Sequence, residues 1–527
     1  MHPPRYANTV AALAVVLAVG CQPRGRQTPD ATIVMVIEVP MNSADPRAQV
    51  SSYDGKLSRL VTAGLTAVDT PTMEPRLELA AKIEARDDHT IDATVRDDAR
   101  FSDGSPVTAA DVVGTYMSVL DKDSRSSSHK MLTERLFSVE AIGDRVARFH
   151  LKAPLATFLS DIDFGIVSFH DGPPKSDRVI GAGPYRLLAL TADGATLERN
   201  PFYFGDPPRL PRLEIKFVRD AAARLLMLAG GSADVIQNAV RLDLVPAVAA
   251  QPRVQLQTAH SDVLTFLMMN NAYQNDNDAK DDRAGKKLSD RRVRQAIALA
   301  LDRPAIIAAK LNGLAVPATG LLPPQHWAYT SDVAHWDHDP ARARQLLDEA
   351  GLPDPDGDGP APRLHLVYKT SSDAFRVAIA RVIAAQLADV GIEVEVRPFE
   401  FATFFADVKR GAYQLASMQT TDITDPDFYF MYFHSSWIPS EDAKDGFNRW
   451  RYRSPLVDRL TLAGRQELDR ARRKQIYDQV QRQVAEDVPI VPLWHEDNVV
   501  LSNADVRGYT LTPNARLSGL RSVTKHP

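Results

Sequence analysis

Two stretches of the chain pass from a strand pattern to helical spacing and back again. The first is RLEIKFVRDAAARLLMLAGGSADVI (212–236); the second runs through RLHLVYKT (363–370), FRVAIARVIAAQLADVG (375–391) and IEVEVRPFE (392–400). Parallel strands need a crossover of this kind, so the period predicts parallel pairing and an α/β architecture. Other segments agree. TIVMVIEV (32–39) is a short Ile- and Val-rich strand candidate, and SSYDGKLSRLVTAGLTAVD (51–69) has apolar residues at helical spacing. In 89–120 strand character turns at Asp103-Gly104 and enters a helix that Thr108 caps. The segment 181–205 reads as a glycine turn and two strands, 290–311 as one helix, and 339–351 as a helix with Gly351 at its C-cap. NDNDAKDDRAGKK (275–287) reads as an exposed loop or hinge.

The 527 residues contain one cysteine, Cys21. A lone Cys makes neither an intramolecular disulfide nor a multi-Cys zinc site, so its neighbours have to explain it. Arg5 and the uncharged run ANTVAALAVVLAVG (7–20) precede it. That run is shorter than the roughly 20 residues of a membrane span and fits the apolar region of a secretory signal. Ending on Cys after Ala18, Val19 and Gly20, it resembles a bacterial lipobox, whose cysteine carries the lipid anchor and becomes the first mature residue. Residues 22–30, QPRGRQTPD, read as a polar tether. A formal net charge of −5 gives no general attraction to nucleic acid.

Motifs for catalysis and metal binding break down on inspection. DPDGDG (354–359) opens like a calcium loop, but the closing Glu position is occupied by His365. Ser127 and Lys130 have the spacing of an acyl-transfer pair inside a polar loop without partner motifs, and HED (495–497) lacks the spacing of a metal set. No enzyme, cofactor or metal is expected. TTDITDPDFYFMYFHSSW (420–437) differs, because it sets Asp422, Asp425 and Asp427 beside six aromatic residues. Carboxylates with rings suit a cationic or zwitterionic ligand. The same composition also describes a capped aromatic helix in a core, with the aspartates as turn and cap residues.

Taken in order, the motifs resemble family 5 of the extracytoplasmic solute-binding proteins, the oligopeptide-, dipeptide- and nickel-binding receptors of ABC importers. The resemblance runs from about residue 32 to 510. It rests on LVTAGLTAVD and PRLELAAKIEARDDHTIDATVRDDARFSDGSPVTAADVVGTY (60–116), GAGPYRL, LERNPFYFGDPP, GGSADV, LSDRRVRQAIALALDRPAI, LLPPQHWAY, ARQLLDEAG and QLADVGIEVEV. It implies a periplasmic-binding-protein-like class II fold: two main lobes hinged around a cleft by two crossovers, plus an additional α/β lobe. The expected division is a signal peptide at 1–20, a tether at 21–31, lobe I at 32–65, 181–281 and 491–527, lobe II at 66–180, and lobe III at 282–490.

The resemblance also implies a monomeric receptor outside the cytoplasm, in the periplasm or on the cell surface, lipid-anchored at Cys21. It would bind a short peptide for an ABC permease and its ATPase subunits, without nucleic acid. Asp422 matches the aspartate that grips a peptide's α-ammonium, and Gln419 stands where peptide receptors place a Trp. Thr421 is a further candidate contact, and Tyr53, Phe101, Arg292 and Trp437 are lesser ones; Gly104, Gly183, Pro184, Tyr185 and Arg294 are expected to be structural. Alternatives are a nickel or other metal chelate, with His326, His434 and His495 as contacts, an opine or sugar, or a peptide-sensing or chaperone protein not coupled to transport.

Overall fold

The computed structural model describes residues 26–172, 178–272, 287–357, 359–440 and 446–526. Cys21 and nearly all of the charged stretch 275–287 lie outside the described residues. From Arg26 onward the expected tether is docked to the body. Gln27 N–H donates to the Gly231 carbonyl at 2.8 Å, Arg26 pairs with Asp505 at 2.6 Å, and Thr28 Oγ1 donates to Asp234 at 2.6 Å.

A sheet of eleven strands runs through the two main lobes. Two long strands carry it from one to the other: Val254–Met269 and Ile490–Asn503 pair antiparallel, from Val254 opposite Asn503 to Met268 opposite Ile490. Their register shifts between His260 and Leu264. On one side the sheet continues through Leu415–Thr420, Leu364–Ser371 and Ile392–Phe399. On the other it continues through Val235–Gln237, Thr32–Ile37, Arg212–Phe217 and a hairpin of Tyr185–Thr191 and Gly194–Arg199.

The expected parallel pairings are present, in two forms. Leu364–Ser371 lies directly beside Ile392–Phe399, with the helix Ala374–Ala388 as crossover. Arg212–Phe217 and Val235–Gln237 are instead separated by Thr32–Ile37, which is parallel to both. All six residues of that strand are buried, and an unbroken TIVMVI run suits a strand covered on both faces.

A second sheet, ordered Ala80–Asp87, Thr90–Val95, Val146–Leu151 and Leu136–Ile142, is antiparallel throughout. The helix Ala109–Leu120 covers it, with Thr108 at its N-cap; Thr108 N–H donates to Asp111 at 2.9 Å. Tyr116 packs edge-on against Phe149, whose ring meets Phe158 in the same way.

Two helices differ from their sequence reading. The segment 290–311 forms two helices, Arg291–Ala300 and Arg303–Leu311, because Asp302 caps Ala305 N–H at 2.9 Å and Pro304 begins a new first turn. The segment 51–69 is helical only over Ser52–Val61. A Cβ on Gly64 would lie 2.7 Å from the Thr66 carbonyl oxygen, so the chain there is folded tightly back on itself.

Beyond the paired strands, buried charge joins the second sheet's lobe to the distal lobe, the one that carries Leu364–Ser371, Ile392–Phe399 and Leu415–Thr420. Asp427 accepts from Arg135 at 2.6 Å and from two Arg465 nitrogens at 3.0 and 2.8 Å, and all three side chains are buried. Arg135 also pairs with Asp161, whose carboxyl burial pushes up to about 6. Replacing Asp427 by Ala leaves two buried guanidinium groups without this carboxylate, a defect that costs about 3–5 kcal/mol. The expected result is a lower urea midpoint by tryptophan fluorescence; an unchanged midpoint contradicts the joint.

Candidate functional site

The helix Ser52–Val61 builds one wall. It begins with a capping box, Ser51 accepting from Asp54 N–H at 3.1 Å and Asp54 accepting from Ser51 N–H at 3.0 Å. Leu57, Leu60 and Val61 are buried in the core, while Tyr53, Lys56 and Arg59, spaced three apart, line cavities on another flank. Tyr53 donates to Glu38 at 2.7 Å, and burial, with Glu38 beside it, pushes the phenol well up.

The opposing wall is the loop after Leu415–Thr420. Asp422 adopts φ +63°, in the left-handed region that Asp enters more readily than most residues. Asp262, at the register shift of the crossover strand, holds this turn. Its carboxylate accepts from Ile423 N–H at 2.7 Å and from Thr421 Oγ1 at 3.2 Å. Burial, with Asp422 nearby, pushes Asp262 up to about 7.

The C-terminal segment supplies the cation. Ala515, at φ +53°, has its carbonyl held by Gln237 Nε2 at 2.6 Å. The next residue, Arg516, donates to Asp422 at 3.1 and 3.2 Å and to Asp163 at 2.6 Å. Asp163 also pairs with Arg59. Burial, with Arg516 beside it, pulls Arg59 down to about 9. A chain of alternating charge, Asp422, Arg516, Asp163 and Arg59, thus crosses all three lobes.

Two cavities meet at that chain. One of about 400 Å³ is lined by Tyr53, Lys56, Gln419, Thr421 and Ala515, and one of about 230 Å³ by Arg59, Asp163, Asp422 and Arg516. Thr421 and Ala515 line the first cavity, and their chain neighbours Asp422 and Arg516 line the second. The larger falls within the range typical of small-molecule sites.

Of the residues singled out from the sequence, Asp422, Gln419, Thr421 and Tyr53 come together here. Phe101 does not: it is fully buried in the core of the second sheet's lobe, edge-on to His170. Trp437 does not line these cavities either; it is buried in the distal lobe against Phe447, with Lys130 4.1 Å over its ring. Arg292 pairs with its own cap, Asp290, at 2.6 Å. Asp425 and Asp427 are structural, as the core reading of that segment allows; Asp425 is bound by Arg473.

His326 and His495 are buried, and burial pulls each down to about 4; His434 stacks on Phe430. Among the described residues no group of three or more His, Cys, Asp or Glu is placed to hold a metal ion. Sequence reasoning missed Asp262, Arg516, Lys56, Arg59 and Asp163. Asp262 left a local signal, a carboxylate inside the apolar run SDVLTFLMM; Arg516 left none.

Residues 74–440 match the family model of bacterial extracellular solute-binding proteins, family 5. The chain belongs to that family. It is 27% identical over 461 residues to a probable di/tripeptide-binding protein of Pseudomonas aeruginosa, covering 81% of each chain. It is also 27% identical to the oligopeptide-binding protein AppA of Bacillus subtilis, covering 88% of this chain and 85% of AppA. The fold resembles the crystal structure of NikZ from Campylobacter jejuni in complex with Ni(L-His), with a TM-score of 0.81 at 23% identity over 94% of this chain and 100% of NikZ. These are binding proteins rather than enzymes.

For this family member the buried Asp262 generates a pH dependence with a definite sign. Its folded pKa, about 7, lies above the ordinary carboxylate value near 4, so the folded state binds this proton more tightly. The stability so contributed is complete below about pH 4 and is lost as pH rises through about 7. Relative to Asp262→Asn, which keeps an acceptor for Ile423, the wild type is expected to lose about 1–4 kcal/mol across that window. Paired denaturant melts from pH 4 to 8 measure it, and a pH-independent difference contradicts it.

Proposed function

We propose that this solute-binding protein is a membrane-tethered, monomeric receptor that captures a short peptide in the interlobe cleft and delivers it to an ABC permease. The observation that carries the reading is Asp422. Its side chain is 49% exposed at the junction of two cavities, and its cation partner comes from the facing lobe. The Arg516 guanidinium stands where a peptide's α-ammonium would pair, so an incoming ammonium would exchange one charge-assisted hydrogen bond for another. Di/tripeptide- and oligopeptide-binding relatives at 27% identity support the same ligand class.

The three histidines lie off the lining of both cavities, which favours a peptide over a histidine-held chelate. Calorimetry against a dipeptide and tripeptide library, guided by mass spectrometry of co-purified material, tests this. At least a tenfold loss of affinity is expected for Asp422→Ala, as for a lost hydrogen bond to a charged group. Binding of a metal chelate with no peptide binding would overturn it.

The tether is tested separately. Cys21 is proposed as the lipid attachment site, five positions before Arg26, whose side chain pairs with Asp505. In a bacterial host, the wild type is expected to take up a labelled fatty acid and sediment with membranes. Cys21→Ser is expected to lose the label; a labelled Cys21→Ser protein would place the lipid elsewhere.

A further inference from the structure

Within the larger cavity Glu496 and Asp497 already have partners. Glu496 accepts from Thr265 at 2.8 Å, and Asp497 meets His260 at 2.8 Å. Two groups do not. Glu38 Oε2 is buried without a hydrogen-bond partner, although Oε1 accepts from Tyr53. Lys56 makes no hydrogen bond or ion pair to any described residue. Its ammonium lies 5.0 Å from the centre of the Tyr53 ring, and it is the one basic side chain among the residues lining the cavity.

A lysine ammonium is a strongly hydrated point charge with three donors, and holding it partly buried without an anion is unfavourable. Burial accordingly lowers its pKa, against the pull of Glu38, Asp422 and Asp262. Nothing in the packing requires a cation here, since the buried side of the helix is closed by Leu57 and Leu60. Lys56 and Glu38 line one cavity of about 400 Å³, together with Gln419 and Thr421.

We propose that Lys56 is the anion-binding residue of the cleft, taking a carboxylate of the ligand. The inference rests on the cleft being the ligand site, and it adds a selection rule. A ligand with a free carboxylate is preferred over the same ligand with that group amidated. Loss of a hydrogen bond to a charged group weakens binding by about tenfold to a hundredfold.

The test uses the full chain, with Ala-Ala, its C-terminal amide, and succinate as probes. Calorimetry is run on the wild type, Lys56→Met and Lys56→Arg, with melting curves to confirm folding. Acetylation of Lys56 by acetic anhydride, read by peptide mass spectrometry, reports protection in the wild type. The expected result is that the acid binds at least tenfold more tightly than the amide and protects Lys56. Lys56→Met should erase that ratio and Lys56→Arg should retain it.

If Ala-Ala binds but leaves Lys56 reactive, and Lys56→Met keeps the same ratio, the proposal is overturned while the peptide reading stands. If neither Ala-Ala form binds but succinate protects Lys56, the proposal stands and the peptide reading is overturned. If no probe protects Lys56, the proposal is overturned.

Discussion

Everything in the cleft depends on one ladder of hydrogen bonds, the antiparallel pairing of Val254–Met269 with Ile490–Asn503. The Val235–Gln237 strand hangs on one of these strands and the Leu415–Thr420 strand on the other, so the two main lobes share a backbone. The ladder is interrupted just after His260, where Ser261 and Asp262 step out of register. An irregularity of this kind bends a strand and re-aims its side chains. Here it frees the Asp262 carboxylate to cap the turn that presents Asp422. The turn that presents Asp422 is therefore held at the irregularity of the strands that join the two main lobes.

Charge then decides how the lobes meet. Asp422, Arg516, Asp163 and Arg59 alternate across the cleft, and Asp427 collects Arg135 and Arg465 behind it. Buried ion pairs contribute little net stability against apolar packing, but they fail badly when one partner is lost. They suit an interface that must close in one geometry. Under the proposed exchange at Asp422, replacing one cation by another would preserve that geometry.

Most of the architecture was legible in the sequence, because apolar period and cap chemistry are local. The crossover helix Ala374–Ala388, the Thr108 cap and the buried strand Thr32–Ile37 all stand where the pattern puts them. The strand Val254–Met269 was not read. Its first half is exposed and polar, as in VQLQTAH, and only pairing with Ile490–Asn503 makes it a strand. Asp422, Gln419, Thr421 and Tyr53, all singled out from the sequence, line the two cavities, Gln419 from the strand Leu415–Thr420 and Thr421 and Asp422 from the loop after it. Phe101 and Trp437 are buried and line neither cavity, and an aromatic ring in a motif carries no local sign of whether it faces a cavity or a core.

By itself, then, the sequence determined the α/β class, the family and the loop that carries Asp422, since each rests on residues close together in the chain. Tertiary structure alone decided what Asp422 faces. Its partner Arg516 is 94 residues away, and the Asp262 that holds its neighbours is 161 residues from Ile423. It also decided that Lys56 meets the Tyr53 ring but makes no hydrogen bond or ion pair to a described residue, because that depends on which distant carboxylates the fold brings near it and which it turns away.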